Sequence, residues 1–419
     1  MKNFLTLLAA LVAAFAAARA SAIGTPDDNE PTGVSAAKTT LTYDGAPISS
    51  LHGGLGRSST FVGNLHLRSL LDLQRGLGWA DTIAFVDALW IHGGQPDRFV
   101  GDALGVNNLS APPGAQIEEL WVEHEFLPSG ISALAGLYDL NSEFYRVQSG
   151  GLFLNSSFGI GPEFAQSGVG GPSIFPRTSL GVRLAYKPSS NVVLRTAVLD
   201  GVPLIRSDDR LGSFRAGDGL LYVAELAMLE RPGSGKLRDQ RTRVGRNAML
   251  SPYQGKLAFG AWHYTARFDR LDPTMGPPVQ RGSSGFYLVG DRVLVRDETD
   301  PDHTVSAFVQ LGSGDASVDR FGTYLGTGVV ISAPLRGRSA DEVGIALAIA
   351  RNGASYRRLQ VPGSPTTHTE STVELTYLAQ VTSGIAMQPD LQYVIHPGTD
   401  RSIPNALVFT LSFEMSMDL

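Results

Sequence analysis

The stretch that most limits how this chain can fold is its last, Asn405 to Leu419. Every odd position from Leu407 onward is apolar: Leu407, Phe409, Leu411, Phe413, Met415, Met417 and Leu419. The even positions Thr410, Ser412, Glu414, Ser416 and Asp418 are polar, with Val408 the exception. Strand side chains alternate faces with period two, so this is a strand with one greasy and one wet face. Strands of soluble sandwiches usually last about 5–6 residues. Crossing a bilayer at a tilt takes about 9–11, which this stretch exceeds. Lipid offers no hydrogen-bond partners, so a spanning strand needs both edges paired. The rest of the chain must supply the other staves of a closed barrel.

Composition agrees. In 419 residues the hydrophobic share is 43%, yet no run after the first twenty or so residues is long and apolar enough for a membrane helix. The apolar mass is spread by alternation, as in transmembrane barrels. The 48 glycines suit many turns. With no cysteine, disulfides and thiolate metal sites are excluded. A net charge of −6 argues against nucleic acid as a partner. The start reads as an export signal: Lys2 supplies the positive end, Phe4 to Ala18 the apolar core, and Ala18-Arg19-Ala20 and Ala20-Ser21-Ala22 two cleavage sequences. The expected organisation is a cleaved signal over 1–22, a flexible polar segment over 23–38, and a barrel over 39–419.

Alternation recurs along the chain. Phe61, Leu65, Leu67, Leu71 and Leu73 share one face, and Asn64, His66, Arg68, Asp72 and Gln74 the other. Ile83, Phe85, Leu89 and Ile91 alternate with Thr82, Ala84, Trp90 and His92. Further strands are expected near 116–126, 131–142, 178–187, 190–199, 219–230, 255–268, 285–295, 304–312, 321–332, 341–351, 371–382, 384–396 and 405–419. That makes fifteen, whereas single-chain bacterial barrels have even counts with short periplasmic turns. Counting back from a final strand that ends in the periplasm, the long gaps at 144–177, 200–218 and 352–370 fall outside the cell. One outward strand must then precede 59–75. Thr40 to Ser50, with Leu41 and Tyr43 in phase, is the only room for it, giving an all-β, transmembrane antiparallel barrel of sixteen strands. The gap 231–254 is long but falls on the periplasmic side; its Arg231, Lys236, Arg238, Arg241, Arg243 and Arg246 have no evident role.

Residues 115–183 carry a family resemblance. Glu118-Glu119-Leu120-Trp121 is followed by Ala135-Gly136-Leu137-Tyr138-Asp139-Leu140-Asn141-Ser142-Glu143-Phe144. Then come Gly151-Leu152-Phe153-Leu154-Asn155-Ser156-Ser157-Phe158-Gly159-Ile160-Gly161-Pro162 and Gly171-Pro172-Ser173-Ile174-Phe175-Pro176. With Gly260-Ala261-Trp262-His263-Tyr264 and Gln388-Pro389-Asp390-Leu391-Gln392-Tyr393 further on, the chain resembles the carbohydrate-selective porin family of the OprB type over roughly 40–419. The resemblance implies a sixteen-stranded barrel of the bacterial outer membrane that admits sugars. Its partners would be carbohydrate solutes, outer-membrane lipid and the barrel-assembly machinery. The alternative is a general or anion-leaning porin without sugar preference. Monomer and trimer both stay open.

No motif points to catalysis or to a cofactor. Gly233-Ser234-Gly235-Lys236 lacks the Ser or Thr of a phosphate loop, since Leu237 follows. No HExxH or close His pair exists, and acid pairs such as Asp208-Asp209 read as solvated surface. A porin works by width, lining dipoles and charge. The polar phases offer Arg68, Arg183, Arg195, Arg267, Glu123, Glu125, Gln388, Asp390 and Gln392 as lumen candidates, with Trp90 and Trp121 as rings for sugars. Trp262, Tyr264 and Tyr393 share the apolar phase and are expected in the lipid-interface girdle. The 144–177 loop is expected to fold inward and narrow the pore.

Overall fold

A computed structural model describes residues 36–203, 217–230, 253–360 and 363–419. The expected signal and most of the segment after it lie outside the described residues, as do the Gly233–Lys236 sequence and nearly all of the basic stretch 231–254. Sixteen strands are described: β1 (Ala37–His52), β2 (Ser59–Asp72), β3 (Thr82–Gly93), β4 (Gly114–Phe126), β5 (Ile131–Tyr138), β6 (Ser179–Ser189), β7 (Val192–Asp200) and β8 (Leu220–Glu230). The second half adds β9 (Gly255–Asp269), β10 (Val279–Arg296), β11 (Thr304–Ser313), β12 (Phe321–Ser332), β13 (Glu342–Asn352), β14 (Thr369–Thr382), β15 (Ile385–Ile395) and β16 (Ala406–Asp418). Each pairs with its chain neighbours, and β1 pairs with β16 to close the barrel. All the pairings are antiparallel. No described helix is long and apolar enough to cross a membrane.

Four boundaries differ most from expectation. β5 stops at Tyr138, four residues short of the expected 142. β1 begins at Ala37, inside the segment expected to be flexible. β2 stops at Asp72, whose side chain caps the short helix Leu73–Leu77 by accepting the Arg75 N–H. β10 starts six residues early, at Val279 against the expected 285.

The terminal strand keeps its expected phase. Phe409, Met415 and Met417 are exposed on the outer wall, while Ala406, Val408 and Thr410 are buried inside. On β8 the alternation is as plain: Tyr222, Leu226 and Met228 face out, and Leu221, Val223, Glu225 and Ala227 are buried.

On two strands the expected phase is reversed. In β3 it is Phe85, Leu89 and Ile91 that point inward. Leu89 stands opposite His66 and Ile91 opposite Asn64, both interior residues. Trp90 stands opposite Leu65 and packs on His92 at 4.8 Å, in a group with Tyr43, Phe61 and Phe413 on the outer wall. Trp90 is therefore not a lumen residue. In β9, Trp262 and Tyr264 are buried inside rather than sitting in a girdle. Arg267 lies exposed near the end of that strand, opposite Arg281 and away from the lumen. The reason is shared: the interior opposite these strands is not water but an infolded loop with apolar side chains of its own. Both faces of such a strand are greasy, and alternation alone no longer separates them.

The loops sort by end. The connections β3–β4, β5–β6, β7–β8 and β13–β14 join strand ends at one rim, while the tight turns at 127–130, 190–191 and 383–384 lie at the other. Short turns mark the periplasmic side, so the rim that carries these four connections is extracellular.

Candidate functional site

The long loop 139–178 between β5 and β6 folds into the barrel. Its Phe144, Tyr145, Val147, Leu152, Phe153, Phe158, Ile160 and Phe164 are buried in one core with Trp262, Tyr287, Val289, Phe308 and Tyr324 of the wall. Phe164 stacks on Trp262 at 4.1 Å, and Tyr145 meets Tyr287 at 4.4 Å. Each such ring contributes about 1.5–3 kcal/mol by leaving water. Gly312 gives the loop room, since a Cβ there would strike the Glu163 carboxyl.

Wall side chains hold the loop by its backbone. Glu374 accepts the N–H groups of Leu154 (2.5 Å) and Asn155 (3.0 Å). Asp291 accepts those of Gln148 and Ser149, and Glu225 that of Tyr145. Gln388 donates to the Leu152 carbonyl, Gln310 to that of Phe158, and Tyr324 to that of Ser157. Irregular backbone at membrane depth is tolerated only when its polar groups are met this way.

The 94–113 loop between β3 and β4 enters as well, which periodicity did not foresee. Its Ala103 and Leu104 N–H groups donate to Glu370, and its Val106 carbonyl accepts from Gln392. The two loops bind each other where Asn108 N–H donates to the Leu154 carbonyl and Ser156 N–H to that of Gly105.

Between these loops and the wall of β1, β2, β14, β15 and β16 remains a cavity of about 480 Å³, the candidate passage for solute. That is within the roughly 300–1,000 Å³ of small-molecule sites. The wall side shows Asp44, Asn64, His66, Arg68, Gln388 and Glu414; the loop side shows Asn141, Arg146, Gln166, Ile160 and Phe175. Asp44 and Glu414 stand directly opposite each other in the β1–β16 register. Acids on one stretch of wall thus face basic groups at Arg68 and Arg146.

The candidates fall into three groups. Arg68 and Gln388 line the passage. Arg183, Glu123 and Arg195 lie behind the long loop: Arg183 bridges Glu123 at 2.8 Å and Glu143 at 2.7 Å, and Arg195 reaches Glu143 at 3.3 Å. Burial alone would raise the Glu143 carboxyl, but Arg183 and Arg195 hold it below its ordinary value. Asp390 and Gln392 are buried under the loops, where Gln392 links Asp390, Asn155 and Val106. Trp121 points inward but is buried on Phe85 and donates to Glu119. Glu125 is exposed near the periplasmic end of β4, outside the passage. Trp90 and Arg267, as described above, lie elsewhere.

The sequence reading missed Asp44, Glu414, Asn64, His66, Asn141 and Arg146 as lining residues. Four of them sit on strand phases already marked polar, so the signal was there; which polar residues stay uncovered depends on where the loops land. Among the described residues, one further group brings possible metal ligands within 4.8 Å of one another: His66, Asp87 and Glu118.

Comparison with known proteins follows the same line. Residues 57–417 match the family model described as carbohydrate-selective porin, OprB family. Porin B of Pseudomonas aeruginosa is 28% identical over 178 residues, 37% of this chain. The match spans 39% of that relative's length. The high-pH structure of Pseudomonas putida OprB superposes with a TM-score of 0.77 at 18% identity, covering 91% of this chain and 94% of that one. An anion-selective porin from Comamonas acidovorans superposes at 0.51 with 11% identity, covering 91% and 100%. At these identities the two structures establish the fold.

Proposed function

The chain belongs to the carbohydrate-selective porins of the OprB family, and from that membership together with the passage geometry we propose that it admits monosaccharide-sized sugars. It is a channel of the bacterial outer membrane. The observation that carries the sugar reading is the lining of the passage. Sugars are neutral and rich in hydroxyls, and shedding water is costly unless wall groups replace it. Asp44 and Glu414 accept, Arg68 and Arg146 donate, and Asn141 and Gln388, whose amide N–H groups go to protein oxygens, add amide oxygens that accept. Ile160 and Phe175 offer apolar surface to the CH side of the ring. Contacts of both signs, each weak, let a solute trade water for wall and still leave.

Of the candidates named from sequence, Arg68 and Gln388 belong to this lining. Arg183, Arg195, Glu123, Asp390, Gln392 and Trp121 set its width by bracing the loops. A liposome-swelling series tests the reading, using glucose, a disaccharide and an uncharged non-sugar of glucose's size. Glucose should enter fastest. Equal rates for glucose and the non-sugar would make this a general porin, and faster entry of small anions an anion-leaning one.

A further inference from the structure

Among the charged groups inside the barrel, one cluster stands in the wall beside the passage. A β-bulge creates it. Asp87 pairs with Glu119, but the next residue, Ala88, pairs with Ile117, so the register skips Glu118. Bulges re-aim side chains. Here consecutive glutamates, which would otherwise point to opposite faces, are both buried at 0% and 4% exposure. Glu118 is thereby turned toward His66, whose Nδ1 lies 3.7 Å from its Oε2. The same Nδ1 lies 3.0 Å from each carboxylate oxygen of Asp87.

A ring nitrogen carries at most one proton, and three carboxylate oxygens crowd this one. Asp87 and Glu118 both reach the His66 ring, and Arg68 pairs with Asp87 at 2.9 Å. A divalent cation supplies both the charge and several directions of bonding at once.

We propose that His66 Nδ1, Asp87 and Glu118 form a binding site for a divalent first-row metal ion with zinc's choice of donors. Ligand atoms about 2.0–2.2 Å from zinc stand roughly 3.3–3.5 Å apart in a tetrahedron, close to the His66 separations seen here. An imidazole in the set selects against magnesium and calcium, which take oxygen. His66 binds as the neutral ring with its proton on Nε2. Arg68 donates from Nε to Asp87 Oδ2 at 2.9 Å and stays there as an outer partner, leaving Oδ1 to face the ion. His66 belongs to the lining of the passage, which places the buried cluster directly beside it. An occupied site places positive charge beside Arg68 and depresses cation flow.

The inference rests on the cluster's geometry and not on the sugar reading, and zinc binding is measured apart from transport. Chelator-treated, detergent-solubilised full-length protein is titrated calorimetrically with zinc chloride, alongside His66→Gln and Glu118→Gln. The wild type should show one site that each variant weakens roughly 100-fold or more. Both variants must keep heat-modifiable gel migration; should either fail to fold, anomalous scattering from zinc-soaked wild-type crystals decides, with a peak between His66 Nδ1, Asp87 and Glu118 expected. In planar bilayers zinc should lower wild-type conductance reversibly. No site in the wild type, equal affinity in folded variants, or a zinc peak only at other histidines would overturn the proposal.

Discussion

Arg68 and Arg195 look alike in sequence, each a lone base on the polar phase of a strand, yet they meet different fates. Arg68 lines the passage, while Arg195 is held behind the loop by Glu143 and Glu225. Arg68→Ala should raise single-channel conductance and weaken block by glucose. Arg195→Ala should instead loosen the long loop and raise current noise, because a buried Glu143 and Glu225 lose a counter-charge. Arg267→Ala should change neither, since that side chain lies away from the passage. Bilayer recordings of the three variants separate these outcomes. The wall offers a second residue-scale test. Leu411→Arg puts a charge on the lipid face and should cost about 2–4 kcal/mol near mid-bilayer, read as a lower temperature of heat-modified migration. Ser412→Arg faces the passage, so the barrel should assemble and conduct less. Equal heat stability in both would reverse the strand's phase.

The long loop is the element on which the pore depends. Glu374 holds two of its backbone N–H groups at the point where it meets the shorter loop. Each such hydrogen bond contributes about 0.5–1.5 kcal/mol net, and Glu374→Ala removes two and leaves their N–H groups unmet. That variant should assemble normally yet show larger, flickering conductance and faster disaccharide entry into liposomes. The loop also carries a titratable anchor. Glu163 is buried and accepts from Tyr145 Oη at 2.8 Å, and burial pushes its carboxyl from 4.5 up to about 7. An acid raised by folding is neutral in the folded state below that value. The loop's seat is therefore firmest at pH below the ordinary 4.5 and weakens as pH rises through about 7. Conductance noise should grow across that window in the wild type and stay flat in Glu163→Gln. A pH-independent wild type would mean that Glu163 does not govern the seat.

At the scale of the whole molecule, the protein should fractionate with the outer membrane and begin at Ser21 or Ile23, which intact-mass measurement of the purified form checks. Recovery in the soluble periplasm at normal yield would contradict it. The sequence by itself determined the barrel. Alternation in the strand at the carboxyl end, the parity of the strand count and the placing of long gaps are local features, and a lipid face imposes its period on every spanning strand. Hence all sixteen strands were legible, most to within a few residues. What sequence could not decide was the interior. On β9 the apolar set points inward because the long loop lays Phe164 on Trp262, and on β3 because Ala111 and Phe175 of the two loops pack on Leu89 and Ile91, so greasy residues occupy both phases. For the same reason Asp390 and Gln392 are buried while Asp44 and Glu414 stay open to solute. Which polar side chain braces a loop and which meets a sugar is settled by contacts between residues far apart in the chain, and only the folded barrel brings those together.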